Sequence, residues 1–372
     1  MRKCLTGILG VLGFLTVGSM VFGFQGSAIK SDEHVVFFVT SASLSSDGET
    51  WQLPIHGWIH EPEDSTVRLG IDSAALKAKF DLEPTEANSE RYSRRLTLFL
   101  VDNERGKKIK IRVGQREVLL PKSEANGHFK GAISMPVEEV EKIAVDGVVP
   151  FSAVLPSDDK RSFTGRVLLV PPKGVSVISD IDDTVKISEV IDKKKLIDRT
   201  FFREFEAAPG MAKLYSNWAK RGVRFHFVSS SPWHLYEPLT EFFEKSAFPP
   251  ATLSLKYFRF KDSTFWDMFN KGTETKPLQI KPILEEYPAR RFVLVGDSGE
   301  QDPEVYAKID REHPDQIIRI YIRNVTKASR GDERFKKAFE ASPAKRGLSS
   351  TSRRSSSCRS SDGARVSQHD SA

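Results

Sequence analysis

GVSVISDIDDTVKISEV, residues 174–190, decides how the chain is read. Val175 to Ile178 is a short β-branched run introduced by Gly174, the pattern of a buried strand. It ends in Asp180-Ile181-Asp182-Asp183-Thr184. Acidic clusters in isolation are solvated turns. At the carboxyl end of a buried strand they lie where open α/β sheets hold their ligands. Carboxylates this close repel one another, and a hard cation with oxygen ligands, Mg2+, is the simplest compensation.

A strand followed by DxDxT resembles the first motif of the haloacid-dehalogenase superfamily of phosphotransferases. The longer string DIDDTVKxSxV resembles one branch, the Mg2+-dependent phosphatidate phosphatases of the actin-patch type, relatives of the lipins. Many superfamily members carry Gly where Asp183 stands, whereas this branch also reads DIDDT. The resemblance implies three further motifs, in order.

Val223–Val228 reads as the next strand, followed by Ser229-Ser230-Ser231-Pro232. Ser229, first past that strand, matches the hydroxyl that bonds a phosphoryl oxygen, with Ser230 close behind. The motif lysine is Lys276 or Lys281 in TKPLQIKPILEEYP. Pro277 suits the first turn of a helix with Leu278, Ile280, Ile283 and Leu284 on its apolar face. The family spacing fits Lys276. Phe292–Val295 is a second buried run, and Gly296-Asp297-Ser298-Gly299-Glu300-Gln301-Asp302 follows it directly. GDSGxxDPE matches the family wording. The resemblance implies Mg2+ held by Asp180, Asp182 (through its main-chain carbonyl), Asp297 and Asp302. It makes Asp180 the nucleophile, Asp182 the general acid and base, and Ser229 and Lys276 the phosphate-binding groups. Thr184 is expected to brace the loop by hydrogen bonding.

The implied architecture is α/β: a haloacid-dehalogenase-like Rossmannoid parallel sheet, helices on both faces, over 171–340. A β-rich, sandwich-like region precedes it at 33–170, with strands at 35–39, 51–59, 96–101, 109–113, 118–120, 128–133 and 167–170 and a helix at 136–145. His56 and His60 are read there as sheet residues, since no third ligand is nearby. WQLPIHGWIHEPE, FLVDNERGKKIKIRVG and SEANGHFKG resemble the amino-terminal region of bacterial members of the family. Residues 1–28 carry a basic start and an apolar run, the form of a secretory signal or retained anchor, so the protein is expected outside the cytoplasm, secreted or periplasmic, or membrane-anchored. Residues 342–372 are Ser/Arg-rich without apolar periodicity and are expected to be disordered.

The chain has 372 residues, a net charge of +6 and a pI near 9.1. The excess charge is thinly spread and no nucleic-acid-binding motif accompanies it. The cysteines, Cys4 and Cys358, lie in the terminal segments, so no disulfide framework supports the fold. The segments Thr184–Ser229 and Ser231–Lys276 are each about 45 residues long, too short for a large cap. An open site suits a phosphate presented at a membrane surface. The aromatic and basic stretch 255–272, LKYFRFKDSTFWDMFNKG, suits a headgroup region. The reading is therefore a Mg2+-dependent phosphatidate phosphatase that makes diacylglycerol. Phosphatases of other phosphomonoesters and a non-catalytic phosphatidate-binding module are the alternatives. The oligomeric state is not legible.

Overall fold

Alternating apolar residues build a first sheet between residues 34 and 169. The computed structural model describes residues 26–62, 77–78, 80–257, 275–329, 331–340, 342 and 345–349. The signal or anchor reading of 1–28 falls outside them except for 26–28. So do residues 258–272 of the aromatic stretch and the tail beyond 349.

Nine strands form this sheet: β1 (His34–Phe38), β2 (Thr40–Leu44), β3 (Thr50–Glu61), β4 (Asp102–Asn103), β5 (Lys108–Val113), β6 (Arg116–Lys122), β7 (His128–Pro136), β8 (Val148–Ala153) and β9 (Thr164–Leu169). Every second residue of β5 (Ile109, Ile111, Val113) is buried, the period-2 signature. β1 and β2 lie one after the other along β3, and β2 also pairs in parallel with β9. The sandwich-like layers are thus two halves of one curled, hydrogen-bonded sheet. The curl brings Gly131 of β7 against Leu120 and Pro121 of β6. Leu53, Ile55, Ile111, Phe129, Phe151 and Val167 fill the interior.

The expected strand at 96–101 is instead helix α1 (Ser89–Thr97) and the turn after it. Tyr92, Leu96, Phe99 and Leu100 are buried together at helical spacing. Buried Arg95 donates to the carbonyls of Thr200 and Arg203, which ties α1 to the second half of the chain. The helix expected near 136–145 is α2 (Val137–Ile143).

The second sheet is wholly parallel. Its strands are β10 (Val175–Asp180), β11 (Arg224–Pro232), β12 (Ala251–Lys256), β13 (Arg291–Asp297), β14 (Ile317–Arg323) and β15 (Lys345–Ser349), in the order β12-β11-β10-β13-β14-β15. Successive residues face opposite layers. Val177, Phe227, Val293 and Val295 pack with α3 (Lys193–Phe201), α4 (Met211–Ala219) and α5 (Tyr236–Lys245). Ile178, Phe292, Leu294 and Ile320 pack with α6 (Thr275–Glu286), α7 (Asp302–Glu312) and α8 (Glu333–Phe339). Ile280 and Leu284 of α6 are buried, but Leu278, expected on the same face, is 73% exposed. It lies half a turn round the helix from Ile280. β15 corrects the expectation that everything from 342 onward is unstructured. Its backbone pairs with β14, and Ser342 is buried against Asp310.

The chain leaves β10 for β11 and β12 on one side, then crosses back to β13 on the other. The strand order therefore reverses between β10 and β13, the place where open α/β sheets hold their ligands. The two acidic motifs end at that switch point.

Candidate active site

Asp180 is the last residue of β10 and Asp297 the last of β13; Asp302 opens α7. All three are buried, and one carboxylate oxygen of each lies within 4.8 Å of the others. Gly296 makes the approach possible, because a Cβ there would sit 2.2 Å from Asp302 Oδ2. That oxygen accepts from the Asp297 main-chain N at 3.1 Å. Asp297 Oδ1 accepts from the N–H of Gly299 at 2.6 Å.

Lys276 reaches this group from the first turn of α6. Its Nζ lies 2.9 Å from Asp180 Oδ1 and 3.1 Å from Glu300 Oε2, and it is bonded to Asp302 Oδ1. Lys281 points elsewhere, to Glu312 at 2.9 Å, so geometry separates the two candidates. Burial alone would lower the Lys276 pKa, but Asp180, Asp302 and Glu300 hold it well above the usual lysine value. Burial raises Asp180 well above the carboxylate range; Lys276 opposes this, and Asp302 and Asp297 reinforce it. Asp297 is raised by burial and then by Asp302.

One lysine does not balance this much acid. Asp180 Oδ2 and Asp297 Oδ2 are buried with no hydrogen-bond partner among the described residues, which is costly unless something else satisfies them. Three converging carboxylates, two of them with an unsatisfied oxygen, fit a hard divalent cation.

Asp182 is set apart. Its Oδ1 accepts from Lys186 Nζ and Ser188 Oγ, each at 2.7 Å. Its Oδ2 accepts from Ser229 Oγ and Ser231 Oγ, each at 3.0 Å. Burial would raise its pKa, but Lys186 and the hydroxyls of Ser188 and Ser231 bring it down to about 2. Its side chain stays outside the converging triad. β11 runs on to Pro232, so Ser229 lies within the strand rather than just past it. Its hydroxyl is committed to Asp182 and accepts from Ser231 N.

The loop after Asp180 is braced by Asp183, not Thr184. Thr184 is fully buried and its hydroxyl has no partner among the described residues. Asp183 adopts a left-handed φ of 57°, the conformation that otherwise favours glycine. Asp183 Oδ1 takes the N–H groups of Ser188 and Glu189 at 2.8 Å, and Oδ2 that of Val190 at 2.7 Å. The aspartate offsets its own backbone strain by capping three amides.

Glu300, Lys186, Ser188 and Ser231 had no assigned part in the sequence reading. Glu300 sits inside the quoted GDSGxxDPE motif, and Lys186 and Ser188 are the K and S of DIDDTVKxSxV. Their spelling was visible; their partners were not.

Residues 175–324 match the family model described as phosphatidate phosphatase APP1, catalytic domain. The chain is 33% identical over 169 residues to phosphatidate phosphatase APP1 of Saccharomyces cerevisiae, covering 44% of this chain and 28% of that protein. It is 30% identical over 199 residues to an uncharacterized protein of Schizosaccharomyces pombe, covering 49% of this chain and 33% of that one. The chain thus spans about a third or less of the length of these curated relatives.

Proposed function

We propose that this protein is a Mg2+-dependent phosphatidate phosphatase on a haloacid-dehalogenase-like fold, which hydrolyses phosphatidate at a membrane surface to diacylglycerol and phosphate. One observation carries the reading: the Asp180–Asp297–Asp302 convergence beside Lys276, at the sheet's switch point and inside the region that matches the catalytic-domain family.

Asp180, Asp297 and Asp302, with the main-chain carbonyl of Asp182, would hold Mg2+. The ion supplies charge neutralisation between an anionic nucleophile and an anionic phosphoryl group. An oxygen of Asp180 attacks phosphorus, and the bond from phosphorus to the glycerol oxygen breaks. The leaving oxygen takes its proton from Asp182 and departs as diacylglycerol. Water then attacks the phosphorus of the acyl phosphate on Asp180, Asp182 takes its proton, phosphate departs and the Asp180 carboxylate is regenerated. Lys276 offsets charge on the equatorial phosphoryl oxygens. Lys186 keeps Asp182 ionised, so the ground state is set for the base half. In the acid half, Asp182 must first be protonated. The hydroxyls of Ser229 and Ser231 are rotors and can turn from Asp182 to a phosphoryl oxygen.

Phosphate release from phosphatidate in mixed detergent micelles, with and without Mg2+, tests the reading against soluble phosphomonoesters. Mg2+-dependent release from the lipid supports it. Release from soluble esters alone moves the substrate elsewhere, and binding without release makes the protein a phosphatidate-binding module.

A further inference from the structure

The roles so far use one oxygen of Asp182 and leave open what its other oxygen does. Lys186 is 2% exposed and lies 2.7 Å from Asp182 Oδ1. It also donates to Ser188 Oγ, which donates to the same oxygen at 2.7 Å. Its ammonium lies 4.9 Å from the centre of the Phe205 ring, and Asp182 is its carboxylate partner among the described residues. The backbone fixes where it points. Val185 N and Lys186 N both donate to Ile181 O at 3.0 Å, and Ile187 N donates to Glu206 O at 2.8 Å. Lys186 itself bridges to Ala207. The turn is pinned on both sides and its side chain is directed at Asp182.

The two oxygens of Asp182 therefore differ in kind. Among the described residues Oδ2 is held only by serine hydroxyls, which reorient by rotating one bond. Oδ1 is held by an ammonium and a hydroxyl that is itself bonded to that ammonium. Burying a lysine costs several kcal/mol unless it is paired, and the loop is already braced by the Asp183 cap, so bracing alone does not account for a buried ammonium here. We propose that Lys186, acting with Ser188, is a positioning residue. It anchors Asp182 by Oδ1 so that Oδ2 faces the water that hydrolyses the acyl phosphate on Asp180. The inference rests on the phosphatase reading above and deepens it.

The test is Lys186→Met, which keeps the chain's length and removes the charge. Turnover of 32P-labelled phosphatidate in mixed micelles is followed by acid quench, which traps phosphate covalently bound to the protein. Folded Lys186→Met should lose about 100-fold in kcat, the size of a general-base contribution, with KM within about threefold. The trapped phosphoprotein should rise above the wild-type fraction, because the loss falls on the second displacement. Lys186→Arg should recover part of kcat. If Lys186→Met does not fold, Ser188→Ala carries the test, with a loss of about tenfold and the same rise in trapped phosphate. The proposal is overturned if kcat stays within about threefold of wild type. It is equally overturned if kcat falls with no rise in trapped phosphoprotein, which marks a structural role. Wild-type protein that releases phosphate neither from phosphatidate nor from a soluble phosphomonoester overturns the phosphatase reading itself, and this proposal with it.

Discussion

Lowering the pH from 7.5 to 5.5 should destabilise this protein strongly, well before most carboxylates titrate. His60 is 3% exposed, neither ring nitrogen has a hydrogen-bond partner among the described residues, and its ring centroid lies 3.9 Å from that of Trp58. His56 Nε2 meets His128 Nδ1 at 3.0 Å, a contact that tolerates one shared proton and not two. His226 is 1% exposed, with Nδ1 on Thr252 Oγ1 at 2.9 Å. Burial lowers His60, His128 and His226 to about 3 and His234 to about 4, and His56 well below its usual value. All these folded-state values lie under the unfolded one of about 6.5, so the unfolded chain takes up protons first. Stability is complete above about pH 7 and is lost as pH falls through 6.5 towards 3–4. At pH 5.5 each such histidine costs about 1.4 kcal/mol, and His60, His128, His226 and His234 together cost roughly 6 kcal/mol, within the range of a whole domain's stability. Buried Asp180 and Asp297, raised by desolvation, act in the opposite direction, so the diagnostic is a difference between proteins. Urea unfolding of wild type and His60→Phe at both pH values measures it. The variant should lose about 1.4 kcal/mol less between them. Equal losses would refute the claim that His60 is buried neutral. A wild-type midpoint that does not move between pH 7.5 and 5.5 would refute the argument for the whole group.

Asp183→Ala should cost roughly 3 kcal/mol for three lost amide caps, and Asp183→Gly about 1 kcal/mol less because glycine accepts the positive φ; equal denaturation midpoints for the two would contradict the strain argument. Asp180→Asn should fold normally yet fall below about a tenth of wild-type phosphate release, since the nucleophile is gone; more than that would remove Asp180 from the role. Dialysis against EDTA should abolish turnover and Mg2+ restore it, and full activity in excess chelator would argue against a cation among Asp180, Asp297 and Asp302. Gly57→Ala would place a Cβ 2.3 Å from Phe129 Cζ and should cost about 2 kcal/mol by overpacking, read as a lowered melting temperature with the spectroscopic fold retained.

Local pattern carried much of this fold. The runs at 175–178 and 292–295, apolar apart from Ser176, are strands because their β-branched and aromatic residues bury on both faces of a parallel sheet, and both end in acid at the same edge. Lys276 was legible through Pro277 and the helical spacing after it. Where two periods compete over a few residues, pattern fails: Leu96–Val101 is apolar enough for a strand, and only packing of Tyr92, Leu96 and Phe99 on the second half of the chain selects the helix. β15 is a strand because the edge of β14 offers it hydrogen bonds, not because its own residues demand it. The rest of the site depends on distance in sequence. Asp182 meets Ser229 and Ser231 across nearly fifty residues, and Lys276 meets Glu300 across 24. The histidines come from β3, β7, β11 and the turn after it. Residue types and their order along the chain determined which chemistry was available. Which oxygen each donor reaches, and which charges water no longer screens, only the folded packing of those segments decided.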